Sequence, residues 1–388
     1  MKKLNTLAIV YAHPESHGPQ LCAIHMIAKY SSQVDLVFRN VAETKWKFPD
    51  NVKLIKDGKL VDQDMVYKKN KVVKVMYFIR FLYKVFANLF KKKYDLVVFF
   101  DPMAFLTFKY VKNVLPSNTF VWYHNYDVIY PENVKKYSLA HLAIKVPEKM
   151  FPRVDLFSIP MEERVKYFPV HLLKSSYQII PNYSLLEIHP ANKRIIESNK
   201  IVLIFVGSIG EGHGLEEIIK ILNKNISGKE LELIVKGYIR EEYKNRLIRM
   251  ASENAVEEKL TIIAKGPWGE VPETLRTAHI GIAIYNSKDQ MITTLGKGGS
   301  GKVFQYVAEG LPVIMNTGFY QIFKAYDWAV PADLQEESLV NSISNIIKDY
   351  DKLSESAVKS FKEELNCNIY FDPLLEKITA IKNSENKK

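Results

Sequence analysis

The chain has 388 residues, 47% hydrophobic and 25% charged, which excludes a disordered or collagen-like protein and is long enough for two domains. Its formal net charge of +11 favours an anionic partner such as nucleic acid, anionic lipid or a phosphorylated ligand. The cysteines, Cys22 and Cys367, lie far apart in the sequence and outside any metal-binding spacing. They argue for a reducing compartment and against a disulfide scaffold.

The N-terminal segment combines two lysines with a short apolar run. It lacks the longer apolar core and the small-residue cleavage site of a signal peptide, so we interpret residues 7–11 as a first strand. No run of about 20 uncharged apolar residues occurs in the sequence, and we therefore expect no membrane-spanning helix.

Short apolar runs alternate with helical patterns along the chain, in two series. The first series predicts strands at 7–11, 34–38, 96–100, 119–123, 156–159 and 177–180. The second predicts strands at 201–206, 231–235, 260–263, 280–284, 312–315 and 328–330. Continuous apolar strands that alternate with helices are typical of parallel sheets covered on both faces.

The sequence therefore predicts an α/β fold with two doubly wound, Rossmann-like domains. Residues 1–182 are expected to form the first domain, and 201–371 the second. Between them, residues 183–200 are rich in Asn, Glu and Lys and are interpreted as a linker. Ligands of such sheets bind beyond the carboxyl ends of the strands, which we expect to face each other across a cleft.

A basic amphipathic helix is predicted at about 66–93, because residues 65–93 contain nine Lys or Arg and no acid. At 100° per residue one side carries Lys74, Arg80, Lys84, Asn88 and Lys91, and the other carries Val75, Ile79, Leu82, Phe86, Leu89 and Phe90. This pattern favours a helix in the interface of an anionic membrane, with a helix packed on the sheet as the alternative. Aromatic side chains on the apolar side argue against a nucleic-acid groove.

Residues 300–314 read SGKVFQYVAEGLPVI and predict a helix between a glycine-rich turn and a buried strand. The N–H groups at a helix start attract phosphate, and Lys302 adds a positive charge in the first turn. Gly310 suits the left-handed residue that ends a helix. The segment therefore predicts a diphosphate-binding turn, with an ordinary helix-to-strand unit as the alternative.

This stretch resembles the nucleotide-binding segment of GT-B glycosyltransferases of the family 4-like, group 1 superfamily, which carry a similar K-x-x-E-Y-x-A-x-G-x-P-V-I run. Other parts of the C-terminal domain in that family are similar to residues 201–222, 231–239 and 266–285 of this sequence. The resemblance implies GT-B architecture and a glycosyltransferase of the hexosyltransferase type, which uses a nucleotide-diphosphate sugar bound by the second domain. It also implies that a C-terminal helix within 372–388 crosses back to the first domain.

The candidate donor-binding residues are Lys302, Gly301, Gln305, Gly299, Gly207, Ser208, His213, Lys236 and Lys297. Lys302 and the backbone at 299–301 are expected to neutralise the leaving diphosphate. The resemblance places Gln305 at the family's ribose-binding glutamate and Lys297 at the second glutamate of retaining members. Ser208 replaces a basic residue of the glycine-rich loop. Because the glutamate pair is absent, retaining and inverting chemistry both stay open.

The acceptor side is expected in the first domain, in the loop after its first strand, at His13, Ser16, His17 and Gly18. His124 and Asp127 follow a predicted strand in WYHNYDVIY and are the candidate catalytic bases for the acceptor proton. The alternative for His124 is a hydrogen-bonded structural histidine.

The leading hypothesis is a peripheral enzyme at the cytoplasmic membrane face. It would transfer sugar from a UDP- or GDP-sugar to a lipid-linked or glycan acceptor, in envelope or exported polysaccharide synthesis. We expect no nucleic-acid partner and no metal cofactor, and interpret Asp62 and Asp64 as helix-start acids. A nucleotide-sugar epimerase of the same fold leaves the basic helix unexplained. A non-catalytic membrane-associated scaffold is favoured by the missing glutamates.

Overall fold

The computed structural model describes residues 2–61, 69–185, 199–264, 270–285 and 296–385. Asp62 and Asp64, residues 66–68 of the expected basic helix, and most of the expected linker, at 186–198, lie outside the described residues. The chain forms two compact units. Unit 1 comprises Met1–Asn182 and Cys367–Lys388, and unit 2 comprises Tyr183–Asn366.

Unit 1 contains a seven-stranded parallel sheet in the order β3-β2-β1-β4-β5-β6-β7. Its strands are β1 Leu4–Val10, β2 Ser31–Arg39, β3 Val52–Asp57, β4 Leu96–Phe99, β5 Phe120–His124, β6 Leu156–Ile159 and β7 Gln178–Ile179. Its helices are α1 Gly18–Tyr30, α2 Lys71–Lys91, α3 Pro102–Val111, α4 Leu139–Ile144, α5 Val146–Met150 and, after unit 2 in the chain, α14 Asn368–Glu385.

Unit 2 repeats this architecture with a sheet in the order β11-β10-β8-β12-β13-β14, to which β9 adds antiparallel to β10. Its strands are β8 Lys200–Ile209, β9 Asn225–Ile226, β10 Lys229–Ile239, β11 Leu260–Ala264, β12 Ile280–Ala283, β13 Val313–Met315 and β14 Ala329–Pro331. Its helices are α6 Leu215–Ile221, α7 Glu241–Glu253, α8 Val271–Arg276, α9 Gly296–Gly299, α10 Gly301–Ala308, α11 Thr317–Phe323, α12 Glu336–Lys348 and α13 Tyr350–Glu363.

The cores form because apolar strands are covered by helices on both faces. In unit 1, every residue of β4 is fully buried, and the core continues through Phe105 of α3 and Phe151. In unit 2, Leu203 and Phe205 of β8 pack with Leu215 of α6. Apolar burial of this kind is the main favourable term in folding. The prediction of an α/β fold with two parallel-sheet units is confirmed.

The last helix, α14, packs on unit 1. The Tyr30 hydroxyl donates to Asp372 Oδ1 at 2.7 Å, and Lys29 forms an ion pair with the same carboxylate at 2.8 Å. The Phe371 ring lies 6.0 Å from the ring of buried Trp122. The segment after unit 2 therefore completes the core of unit 1.

Helix α2 is the basic helix, and its first turn is capped by Asn70, whose side chain accepts from the Val73 N–H at 3.0 Å. The face that enters the core is formed by Phe78, Phe81 and Val85. The expected division into a membrane face and a cationic face is wrong for Leu82, Phe86 and Leu89, which pack against that core.

The reason for this difference is that the apolar side chains of α2 extend over more than half of its circumference, so the core of unit 1 covers one part of this surface and leaves the adjacent part exposed. The large exposed apolar side chains of α2 are Val72, Val75, Met76, Ile79, Tyr83 and Phe90. We call this set the α2 stripe. No helix within the described ranges has the length and apolar character required to cross a bilayer.

Candidate functional site

In unit 2 the strand order reverses beside β8, because β10 lies on one side of it and β12 on the other. Ligands of open parallel sheets bind at such a switch point, beyond the carboxyl ends of the strands. Near this end of β8, Gly207 (φ +121°) pairs with Gly237 (φ +146°) of β10. A Cβ on Gly237 would lie 1.9 Å from the Gly207 carbonyl oxygen, so the two backbones approach too closely for a side chain there.

Lys302, in the first turn of α10, places its ammonium at this end of the sheet. Its Nζ lies 3.7 Å from the ring centroid of Phe205 and 4.9 Å from that of Tyr285. A Cβ on Gly207 would lie 3.6 Å from Lys302 Cε, which places the lysine directly against β8.

The half-buried ammonium of Lys302 forms neither a hydrogen bond nor an ion pair with the described part of the chain. Burial lowers its pKa from 10.5 to about 7. Burying a charge without a partner is unfavourable, so a bound anion would stabilise the protonated form. The N-terminus of α10 adds a dipole of the same sign.

Two side chains fix the start of α10 against β12. The Ser300 Oγ lies 2.6 Å from the Tyr285 hydroxyl oxygen, and the Tyr285 N–H donates to Asn316 Oδ1 at 3.1 Å. One helical turn further, the Tyr306 hydroxyl accepts from the Val206 N–H at 3.0 Å. These tertiary bonds hold the helix start and the end of β8 together.

His213 lies in the glycine-rich loop after β8, with its ring 4.8 Å from that of Phe205. Its Nδ1 accepts from the Gly210 N–H at 3.2 Å. Burial, assisted by the Lys302 charge, lowers the His213 pKa to about 4. The imidazole is therefore neutral at pH 7 and contributes shape and hydrogen bonding rather than charge.

The structure thus brings together Lys302, Gly301, Gly299, Gly207 and His213 around Ser300, Tyr285 and Phe205. Sequence reasoning missed the contact of Phe205 with Lys302 and that of the Ser300 hydroxyl with Tyr285, since nothing in a strand residue or a helix-start serine marks a contact to a residue distant in sequence. Gln305 lies on the next turn of α10, half-exposed, and Ser208 is exposed near the end of β8.

The other two candidate lysines have compensated charges. Lys236 is buried and lies 3.7 Å from Glu270 Oε2. Lys297 is exposed, contacts the Tyr326 hydroxyl and lies 3.9 Å from Glu364 Oε2. Because each already has a carboxylate partner, Lys302 is the stronger candidate for an anionic ligand.

On the acceptor side, the loop after β1 places its candidate residues differently. His13 is buried, its Nδ1 accepts from the Glu15 N–H at 3.3 Å, and burial lowers its pKa to about 4. Ser16 and His17 are exposed, Gly18 begins α1, and the His17 ring lies 5.0 Å from that of Tyr126.

The two candidate catalytic bases also differ in exposure. His124 is buried among aromatic rings, its Nδ1 lies 2.7 Å from Ser158 Oγ, and burial lowers its pKa to about 3. This placement is that of a structural histidine. Asp127 has a side chain that is 62% exposed, and its Oδ1 accepts from Arg164 Nη1 at 3.2 Å. Of the two groups, Asp127 is the one that an acceptor can reach.

Residues 190–363 match the model of a protein family described as glycosyl transferases group 1. Unit 2 is a group 1 glycosyltransferase domain. The matched range includes β8, the glycine-rich loop and α10, so the lysine site lies within the glycosyltransferase domain. The family predicted from residues 300–314 is confirmed, and so is the prediction of a glycosyltransferase.

Solved structures of glycosyltransferases share the fold over almost the whole chain. Anabaena Alr3699/HepE in complex with UDP and glucose aligns with a TM-score of 0.65 at 12% identity, covering 97% of this chain and 100% of that one. WaaG, a glycosyltransferase involved in lipopolysaccharide biosynthesis, gives 0.60 at 15% identity, with 97% and 99% covered. Sucrose-phosphate synthase from Thermosynechococcus elongatus gives 0.64 at 12%, with 99% and 98% covered.

At these identities the likeness establishes the fold, which is that of GT-B glycosyltransferases. No curated protein sequence matches the chain. Within the described parts of this glycosyltransferase, no group of three or more His, Cys, Asp or Glu side chains is arranged to hold a metal ion.

Proposed function

We propose that this glycosyltransferase takes its sugar from a nucleotide-diphosphate donor bound at the Lys302 site of unit 2. The observation that carries the proposal is a half-buried lysine at the switch point of the sheet that has no anionic partner among the described residues. A UDP- or GDP-sugar has the matching group, a diphosphate. Complexes of the HepE neighbour with UDP and with UDP-glucose support a uridine donor.

The chemistry follows from the charge that develops when the sugar leaves. The departing diphosphate gains negative charge, which the Lys302 ammonium and the N–H groups at the start of α10 are placed to stabilise. Gln305, one turn further along α10, offers an amide and a carbonyl to the ribose hydroxyls. In an inverting reaction, Asp127 would accept the proton of the attacking hydroxyl.

For the acceptor, we propose a lipid-linked or glycan substrate at the cytoplasmic face of the membrane, in envelope or exported polysaccharide synthesis. The support is the α2 stripe, which lies on a helix that carries four lysines and no acidic residue within 71–91. An exposed apolar surface with adjacent cations is suited to an anionic bilayer. Such binding would place the enzyme as a peripheral protein at the inner face.

The donor site is tested by thermal unfolding of the wild type and Lys302→Ala in the presence of a panel of nucleotide diphosphates. We expect one nucleotide, UDP first, to raise the melting temperature of the wild type, because a ligand of the native state stabilises it by mass action. The rise should disappear in Lys302→Ala and persist in Lys324→Ala, which removes an exposed lysine of the same unit. If no nucleotide at millimolar concentration stabilises the wild type, the donor site is refuted.

A further inference from the structure

Among the residues that the structure describes, unit 1 also contains a partly buried arginine, Arg39, whose side chain forms no ion pair. It belongs to a group that we call the Arg39 cluster: Tyr11, Arg39, Tyr77 and Arg80. Tyr11 follows β1, Arg39 ends β2, and Tyr77 and Arg80 belong to α2. The Arg39 guanidinium carbon lies 4.8 Å from the Tyr11 ring centroid and 5.8 Å from that of Tyr77. The Arg80 guanidinium lies 5.3 Å from the same Tyr77 ring.

The two guanidinium groups differ in their partners. Arg80 donates to both carboxylate oxygens of buried Asp57, at 3.0 and 3.2 Å. Arg39 has neither a hydrogen bond nor an ion pair from its side chain to any residue that the structure describes. Arg80 is therefore neutralised within the fold, whereas the Arg39 side chain contacts aromatic rings and has no paired carboxylate among the described residues.

The other charged groups around Arg39 do not neutralise it by direct contact. Asp101, after β4, acts on it through space, but its oxygens already accept from the Tyr11 and Ala104 N–H groups, each at 2.7 Å. Burial raises the Asp101 pKa to about 6, so near pH 7 the group keeps most of its negative charge but uses its oxygens for these backbone bonds. Lys56, exposed near the end of β3, adds a further positive charge.

The location is that of a ligand site, because Arg39 and Tyr11 lie at the carboxyl ends of β2 and β1 in a parallel sheet. A guanidinium that stacks on aromatic rings retains its N–H edge for two parallel hydrogen bonds to a phosphate. We propose that Arg39 binds the phosphate group of a lipid-linked acceptor, a proposal that rests on the lipid-linked acceptor of the proposed function.

The helix that supplies Tyr77 favours a lipid phosphate over a small phosphate as the ligand of Arg39. The α2 stripe lies on this helix, and Met76, Ile79 and Tyr83 within it are 62%, 58% and 73% exposed. Their spacing of three and four residues forms one continuous apolar face. A molecule with a phosphate and a hydrocarbon chain could engage both Arg39 and this face, whereas a free sugar phosphate has nothing for the face to bind.

The test measures binding of farnesyl phosphate, farnesol and inorganic phosphate by titration calorimetry, below the concentrations at which the lipids aggregate. We expect the wild type to bind farnesyl phosphate at least tenfold more tightly than farnesol. Arg39→Gln should lose that preference, since charge-assisted hydrogen bonds contribute this much or more. The matched control is Lys53→Gln, which removes an exposed positive charge of β3 and should change nothing.

Equal binding of the phosphate and the alcohol, or unchanged binding in Arg39→Gln, would overturn the proposal. If Arg39→Gln does not fold, Arg39→Lys decides instead. Lysine keeps the positive charge but lacks the paired N–H donors of a guanidinium. A loss of about threefold or more in affinity for farnesyl phosphate supports the proposal, and unchanged affinity refutes it.

A flotation assay with phosphatidylglycerol vesicles separates the two sources of lipid phosphate. If Arg39→Gln weakens flotation but leaves farnesyl phosphate binding intact, the residue binds membrane headgroups and the acceptor assignment fails. The thermal shift by UDP is read on the same variant and should equal that of the wild type. If UDP has no effect on wild type while farnesyl phosphate binds through Arg39, the donor proposal fails and the Arg39 proposal stands.

Discussion

Units 1 and 2 have the same doubly wound architecture but differ in how many large apolar side chains they expose to solvent. Among the described residues, eleven large apolar side chains are exposed in unit 1 and three in unit 2, namely Tyr238, Ile248 and Leu334. A parallel sheet with helices on both faces determines which side chains form the core, and leaves the outer faces of its helices free to vary. The difference is what the proposed function expects, with an apolar partner for unit 1 and a soluble nucleotide sugar for unit 2.

The uncompensated cations of the two units show the same contrast. Lys302 lies against β8 with its pKa lowered to about 7, in a site built from glycines, a helix start and aromatic rings. Arg39, at the end of β2, lies between Tyr11 and Tyr77, and Tyr77 belongs to the helix that carries the exposed apolar side chains. A buried lysine can lose its proton, whereas an arginine stays charged, so loss of the cation's own charge should weaken ligand binding near neutral pH in unit 2 alone.

The largest expected effect is on the close backbone contact in unit 2. Gly237→Ala would place a Cβ 1.9 Å from the Gly207 carbonyl oxygen at a φ of +146°, so either the strands separate or the fold is lost. We expect unit 2 to lose about 3 kcal/mol or more of its unfolding free energy, measured by urea denaturation. Gly210→Ala, where nothing lies within 4 Å, is the control and should cost far less. Equal losses in the two variants would show that close packing does not set this end of the sheet.

Nucleotide binding at the Lys302 site should weaken as pH rises above 7. The free lysine, with its pKa lowered to about 7, loses its proton there, and an anionic ligand binds the protonated form. Above pH 7, where the terminal phosphate of UDP is fully ionised, affinity should fall by up to about tenfold per pH unit until the pKa of the complex is reached. Calorimetry of UDP between pH 6 and 9 measures this slope.

Lys302→Met provides the control for the pH profile, because methionine keeps much of the side-chain shape without a titrating group. Its weak binding should not follow the wild-type slope. The depressed pKa also means that the unfolded chain binds more protons between pH 7 and 10.5, so this lysine makes folding more favourable as pH rises in that window. A wild-type slope that survives in Lys302→Met would assign the titration to another group.

The apolar surface of unit 1 should determine membrane binding. Replacing Ile79 and Tyr83 of the α2 stripe together with serine removes two exposed apolar groups and should reduce binding to phosphatidylglycerol vesicles about tenfold. The same pair of changes at Ile248 and Tyr238 of unit 2 is the matched control. Vesicle co-sedimentation gives both partition coefficients, and a comparable loss for the two pairs would remove the contrast between the units.

The smallest effect concerns how α2 begins. Asn70→Ala removes the side-chain oxygen that accepts from the Val73 N–H, and should cost about 1 kcal/mol of unfolding free energy, measured by urea denaturation. Asn70→Asp keeps an accepting oxygen and should stay within a few tenths of wild type. If Asn70→Ala and Asn70→Asp lose the same unfolding free energy, the Asn70 cap does not stabilise the helix that carries the apolar surface.

The sequence located strands well where they are buried on both faces. Runs such as LVVF at 96–99 are continuous and apolar, and each predicted run has a strand in the structure. Strand β3 was missed because VKLIKD alternates lysines with aliphatic residues at the edge of the sheet, and β9 because it has two residues. Edge strands lack the double burial that gives a continuous apolar run.

The sites were less predictable because they depend on contacts distant in sequence. The glycines and Lys302 mark a helix start that binds anions, but nothing local indicates that Phe205 supports the ammonium. Arg39 was missed since an arginine at the end of a strand is ordinary until α2 brings Tyr77 beside it. Likewise, the pattern of His124 does not reveal that Ser158 and aromatic rings enclose it.

The position of α14 has a consequence for synthesis on the ribosome. This helix packs against Trp122 and Tyr30 of unit 1, yet it follows all of unit 2 in the chain. During translation the strands of the first sheet leave the ribosome before unit 2 is synthesised. Trp122 is not covered by Phe371 until the whole of unit 2 has been made. The nascent first unit thus displays an additional apolar surface for that interval, and a chaperone that binds nascent chains has a defined target there.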